Sequence, residues 1–230
     1  MPSRLSALEK RIVACTRCPR LIAHCRKVAR EKRRAYRDET YWGRPVPPFG
    51  AANPALLVVG LAPGAHGANR TGRIFTGDSS GDWLFRAMHA HGFANRPGSE
   101  RRGDGLALAS ARVTCAVRCA PPDNKPTARE AENCRPFLEE ELRRTPGLRV
   151  VLALGRFAFD RFLRAWNSAG RVPFAAPRFG HGAECRTEDG RIVLLASYHP
   201  SRQNTQTGRL TRAMFDRPFA RARSILEEAS

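Results

Sequence analysis

The chain has 230 residues, 42% of them hydrophobic, which is enough for one large domain or two small ones with a full core. No apolar run reaches 18 residues and the first residues, MPSRLSALEKR, lack an apolar signal core, so neither a membrane-spanning helix nor a secretory leader is expected and the chain reads as cytoplasmic. Forty Lys and Arg stand against 21 Asp and Glu, a formal charge of +19; only four of the basic residues are lysine, and an arginine excess of this size points to phosphate and so to nucleic acid.

In chain order, LSALEKRIV places Leu5, Leu8, Ile12 and Val13 on one helical face and opens an N-terminal helical arm. CTRC follows, with Cys15 and Cys18 at metal-ligand spacing, and then Pro19, which suits a first helical position. Leu21, Ile22, Cys25, Val28 and Ala29 form an apolar stripe on which Cys25 reads as core. Arg20, Arg26, Lys27, Arg30, Lys32, Arg33 and Arg34 cover the other faces, either solvated or facing phosphate. Four apolar runs read as buried strands: ALLVVG (55–60), ARVTCAVR (111–118), RVVLALG (149–155) and RIVLLAS (191–197). Helical patterns lie between them. GDWLFRAMHAHG ends on a capping-type Gly92, TAREAENCRPFLEEELRR opens with the capping box Thr127–Glu130, and GRFAFDRFLRAW follows the third strand. This alternation implies one α/β domain over 1–230, a mostly parallel sheet with helices on both faces.

In such a sheet, ligands bind beyond the carboxyl ends of the strands. Three unusual segments follow the first, second and fourth strands and are expected to converge there, bringing together Phe75, Asp78, Asn124 and His199. Each has a bland alternative: Asp78 as a helix cap, Asn124 as a turn residue, His199 as a loop histidine. The glycine-rich first segment is not a phosphate cradle of known type. A P-loop needs a lysine, and none lies between Lys32 and Lys125; a dinucleotide fingerprint needs G-x-G-x-x-G, and GLAPGAHG has neither that spacing nor room for Pro63. Its glycines are read as letting backbone approach a flat ligand.

The three segments, GLAPGAHGANRTGRIFTGD (60–78), RCAPPDNKPT (118–127) and SYHPSRQNTQTGRLT (197–211), resemble the motifs of family 5, or type B, uracil-DNA glycosylases; CTRCPRL and YWGRPVPPFG match as well. The resemblance covers nearly the whole chain. It implies a three-layer α/β/α fold with a central four-stranded parallel sheet, and a monofunctional DNA N-glycosylase that removes uracil, and other deaminated bases such as hypoxanthine, from DNA as a monomer. It also implies a four-iron, four-sulfur cluster on Cys15, Cys18, Cys119 and Cys134.

The residues support that ligand choice. Four extended residues span roughly 13 Å, so Cys115 and Cys119 do not both reach one compact cluster, and Cys119 lies where the chain turns. Cys134 has a core alternative, since it shares a helical face with Ala131 and Leu138. Cys185 sits in a stretch that reads as a surface hairpin, with no partner nearby. Four thiolates suit zinc as well as iron.

The chemistry distributes as follows. An enzyme acting on a base in DNA takes it out of the stack. The resemblance makes Phe75 the stacking ring. Asn124 offers a donor and an acceptor to the base edge, and backbone near Ala62 and Gly64 offers further donors. As the glycosidic bond breaks, the base becomes anionic and His199 is the donor for it. The sugar becomes cationic, and Asp78, the only acid between Thr40 and Asp82, supplies the opposing charge and orients water. Other superfamily branches carry an acid or amide where this chain has Leu61 and Ala62, and family 5 shares the absence. SRQNTQTGR, with Arg202, Gln203, Asn204 and Arg209, is expected to enter the duplex as a loop, and Lys125 to contact phosphate. A non-catalytic iron–sulfur protein that only recognises damage is the alternative function, and Asp78 and His199 argue against it.

Overall fold

Runs of branched apolar residues form the centre of a six-stranded sheet in the computed structural model, which describes residues 6–228. The strands are β1 (Phe49–Gly50), β2 (Leu56–Gly60), β3 (Ala111–Cys115), β4 (Val150–Leu154), β5 (Glu184–Arg186) and β6 (Val193–Ser197). Their order is β1-β3-β2-β4-β6-β5. The inner four are the expected strands and are parallel; β1 and β5 add short antiparallel edges, so the sheet has six strands rather than four. Leu56 is level with Ala111 and Val150, and Val150 with Val193, so the four inner strands end together and their loops leave from one edge.

Every residue of those four strands is buried, as expected for a parallel sheet covered on both faces. Leu56, Val58, Val113, Leu152 and Leu195 face α4 (Ser79–Ala90) and α8 (Arg212–Glu227). Leu57, Val59, Val151, Ala153 and Leu194 face α5 (Ala128–Arg143) and α6 (Arg156–Ser168). The Thr127–Glu130 capping box opens α5 as read from the sequence.

The strand expected to reach residue 118 stops at Cys115 and bends through 116–119. The reason is Arg118, which turns inward and donates to the buried Glu141 at 2.7 Å. Glu141 also accepts from Thr114 Oγ1 and Arg112 Nε, each at 2.8 Å.

The arm consists of α1 (Ala7–Val13), with a Ser6–Glu9 capping box, and α2 (Pro19–Glu31). Leu8 and Ile12 bury against Phe137 of α5; Leu5, assigned to the same face, lies outside the described residues. Glu9 pairs with Arg112 at 2.9 Å and Arg11 with Glu140 at 2.8 Å, so the arm is tied to the domain by ordinary side-chain contacts. Among the described residues no helix is long and apolar enough to cross a membrane.

Candidate active site

The loop after β2 is held rigid by its own polar side chains. It contains a single helical turn, α3 (Ala68–Thr71). Asn69, fully buried, donates to the carbonyls of Cys25 at 3.3 Å and Ala65 at 3.4 Å. Arg70 donates to the carbonyls of His66 at 2.8 Å and Gly77 at 3.1 Å. Arg73 is clamped by Asp104 at 2.6 Å. These two arginines are buried and serve the loop, not phosphate.

Phe75 follows with a left-handed backbone (φ 51°), a conformation that costs a non-glycine residue about 1–3 kcal/mol. Two glycines make room for it. A β-carbon at Gly60 would lie 2.6 Å from the ring, and one at Gly81 would meet the Phe75 carbonyl. The ring stands 5.9 Å from that of His199, inclined at 30°.

Asp78 is the N-cap of α4: its Oδ1 accepts from Gly81 N at 3.0 Å. The bland alternative is therefore true of one oxygen. The other, Oδ2, faces the glycine loop, 2.8 Å from where a β-carbon of Gly64 would be, and Gly67 borders it too. Here the glycines accommodate the acid itself, a neighbour the sequence did not suggest. Burial pushes the Asp78 carboxyl up from its ordinary value, the Gly81 N–H opposes that, and Asp82 adds to the rise.

His199 sits on the loop after β6. Loss of hydration pushes its pKa down to about 4, so it is neutral at pH 7. Its carbonyl accepts from Ser201 N and Asn204 Nδ2, both at 2.8 Å. Ser80 Oγ donates to the Pro200 carbonyl at 3.0 Å, which joins the Asp78 helix to the His199 loop. The segment expected as an extended loop instead forms a helical turn, α7 (Arg202–Gln206), because Ser201 caps it. Arg202, Gln203 and Arg209 are exposed; Asn204 is half-buried and spends its amide on His199.

Asn124 lies on the loop after β3. Asp123 (φ 53°) and Asn124 (φ 55°) are both left-handed in a 3-10 turn, and the Asn124 side chain is exposed with no hydrogen bond to a described residue. Lys125 beside it is exposed. Ala62 and Gly64 are half-buried, and their N–H groups have no partner among the described residues, which leaves them available as donors.

The cysteines gather as expected in part. Cys18, Cys119 and Cys134 share one buried cluster with Cys25, and Cys15 packs nearby against Leu8, Ile12 and Phe137. The Cys119 thiol is pushed up by its hydrogen bond with Cys25, by burial, and by Cys25, Cys134 and Cys15. Burial pushes Cys134 up to about 11, with Cys18 and Cys15 adding to the rise. Among the described residues no three His, Cys, Asp or Glu side chains stand close enough to hold a single ion. The four candidate ligands lie in two neighbouring buried clusters, and four thiols are the donor chemistry of an iron–sulfur or a zinc site. Cys115 is fully buried and Cys185 lies on the edge hairpin.

A cavity of about 290 Å³ opens beside His199 and is lined also by Leu61, Gly155, Phe157, Phe179 and Tyr198. None of the last four was singled out from sequence; Tyr198, adjacent to His199 in the third motif, carried the one available signal. A larger cavity of about 560 Å³ lies between the arm and residues 42–45, and neither Asp78 nor His199 lines it.

The family model described as the uracil DNA glycosylase superfamily matches residues 47–223, a span that takes in all three loops. The chain belongs to the uracil-DNA glycosylase superfamily. It is 48% identical over 219 residues to the type-5 uracil-DNA glycosylase of Mycobacterium tuberculosis (strain CDC 1551 / Oshkosh), covering 95% of this chain and 80% of that one. It is 50% identical over 209 residues to the type-5 uracil-DNA glycosylase of Thermus thermophilus, covering 91% and 92%. A type-4 uracil-DNA glycosylase of Pyrobaculum aerophilum is 32% identical over 157 residues, 68% of this chain and 71% of that one. The arm lies outside the superfamily match, which begins at residue 47, yet the type-5 similarity extends over nearly the whole chain.

Proposed function

We propose that this chain excises uracil from DNA by hydrolysing the N-glycosidic bond and leaves an intact abasic site. The observation that carries the reading is the pairing, at one edge of the sheet, of a half-buried carboxyl (Asp78) with a neutral imidazole (His199), with the Phe75 ring 5.9 Å from His199. The type-5 relatives bear the name of the same activity.

Phe75 stacks on the flipped base. The free N–H groups of Ala62 and Gly64 donate to its edge, and the exposed Asn124 amide offers a further donor and acceptor. As the bond breaks, the departing uracil carries negative charge, and the neutral His199 donates a hydrogen bond from its ring N–H to the carbonyl oxygen. The sugar carries positive charge, opposed by the Asp78 carboxylate, which also orients the attacking water. Leu61 and Ala62 put no charge at the pocket mouth, and the proposal extends on that ground to other deaminated bases, hypoxanthine included. Arg202, Gln203, Arg209 and Lys125 are the exposed groups for DNA, with Asn204 shaping the loop that presents them. Lys125 acts as a phosphate contact and not as an amine nucleophile, so no covalent intermediate forms.

Cys15, Cys18, Cys119 and Cys134 would hold a four-iron, four-sulfur cluster. Its contribution when bound is structural, joining the arm to the β3–α5 connection; no step of the reaction passes through it. The chain is proposed to act as a cytoplasmic monomer.

Incubation with a duplex bearing one uracil tests the reading. Free uracil should appear, the strand should stay whole until treated with alkali, and borohydride should trap no protein–DNA adduct. A duplex returned unchanged contradicts it.

A further inference from the structure

The cavity beside His199 extends past the groups assigned to uracil, and its chemistry is distinct. Phe157, Phe179 and Tyr198 are half-buried rings, with the centroids of Phe179 and Tyr198 6.3 Å apart and their planes inclined at 46°. Two exposed arginines stand on these rings: Arg209 lies 4.8 Å over Tyr198 and Arg156 5.9 Å over Phe179. Arg209 has no carboxylate partner among the described residues, and Arg156 has only the loose, exposed pair with Asp160 at 3.6 Å. No acid lines the cavity, and about 290 Å³ suits one flat ring system. Leu61 and His199 line it as well, so it begins where the uracil site ends.

We propose that this cavity is a subsite for the nucleobase adjoining the extruded uracil on the same strand, with Tyr198, Phe179 and Phe157 as stacking surfaces and Arg209 and Arg156 on the flanking phosphates. The inference rests on the uracil-excision reading. Stacking on aromatic rings accepts any base, because every base has a π-face. Such a subsite stabilises a strand that is already unstacked on one side of the uracil, and therefore favours single-stranded or frayed substrates.

The test uses the full-length protein and single-stranded oligonucleotides with one uracil. In one series the nucleotide on its 5′ side is replaced by a tetrahydrofuran abasic analogue, in the other the nucleotide on its 3′ side; the phosphates are unchanged. Removing the base on one side, and not on the other, should lower wild-type kcat/KM by about 5- to 150-fold, the equivalent of one base–aromatic stack of ~1–3 kcal/mol. Phe179→Leu combined with Tyr198→Leu should lose a similar factor on the intact oligonucleotide and little more on the base-less one. Wild-type rates that ignore the neighbouring base on both sides, or fall equally on both, overturn the subsite. So does a double variant that keeps the full flanking-base effect. The wild-type series decides even if the variant folds poorly. Absence of uracil release from the unmodified oligonucleotide would instead refute the glycosylase reading.

Discussion

Oδ2 of Asp78 lies where a side chain on Gly64 would have to go, 2.8 Å from the position of its β-carbon. Oδ1 is held by the Gly81 N–H, so the carboxylate cannot swing away without uncapping α4. Gly64→Ala should therefore displace Asp78 rather than the backbone. A misplacement of about 1 Å at a reacting group costs on the order of 10²-fold in rate. Single-turnover uracil release should fall by about that factor, while the melting temperature drops only by the few degrees that a lost helix cap of ~1 kcal/mol costs.

The two central groups titrate in opposite directions. Asp78 has a raised pKa, so the folded state binds more protons than the unfolded state and stability falls as pH rises from the ordinary carboxylate range through the folded value. At pH 7 its ionised form is a cost to the fold. Asparagine caps helices as well as aspartate does, so Asp78→Asn should raise the melting temperature at pH 7 and the gain should vanish in acid. His199 is lowered from 6.5 to about 4, so the unfolded state binds the extra proton and stability is lost as pH falls through that window. Activity should likewise fall in acid as Asp78 protonates. Melting curves and rates across pH 4 to pH 8 check both signs.

Glu141 is buried and serves Arg112, Arg118 and Thr114 together. Burial alone would raise its pKa; Arg118 and Arg112 more than offset that and hold it below the ordinary range. Glu141→Gln leaves the buried Arg118 guanidinium without its charge partner, while Arg112 keeps Glu9, a loss of about 3–5 kcal/mol. Urea unfolding should show the midpoint moving down by that loss divided by the slope, with the slope itself unchanged.

Four parallel strands were legible because each is an unbroken apolar run buried on both faces, and the three-loop convergence followed from the sheet rule. Of the edge strands, β5 was legible as the hairpin around Cys185, whereas β1 has two residues, too few for any alternation to register. Arg118 ended β3 early through a partner on a different helix, which no local pattern shows. Phe75, Asp78 and His199 came together as expected, since rigid loops place them. Asn124 sits on an exposed turn of two successive left-handed residues, and its side chain has no hydrogen-bond partner among the described residues. Phe179 was invisible because residues 171–183 lack periodicity, and the partner of Gly64 was invisible because a glycine carries no sign of what approaches it.

Purified protein should be brown and contain iron, with broad absorption near the visible–ultraviolet boundary. Cys119→Ala or Cys134→Ala should lose the colour and loosen the arm. The Glu9–Arg112 and Arg11–Glu140 pairs remain in those variants, so the central sheet should stay folded by circular dichroism. One zinc per chain and no colour would replace the cluster with a single ion.

The central claim, that Asp78 is chemical and not only a helix cap, is tested most directly by comparing Asp78→Asn with wild type for both DNA binding and single-turnover uracil release. Because asparagine keeps the cap and loses the charge, binding should be unchanged and release should slow by about 10² to 10⁴, the range for a positioned proton acceptor. Release at the wild-type rate, or a rate loss fully explained by weaker binding, would contradict the account.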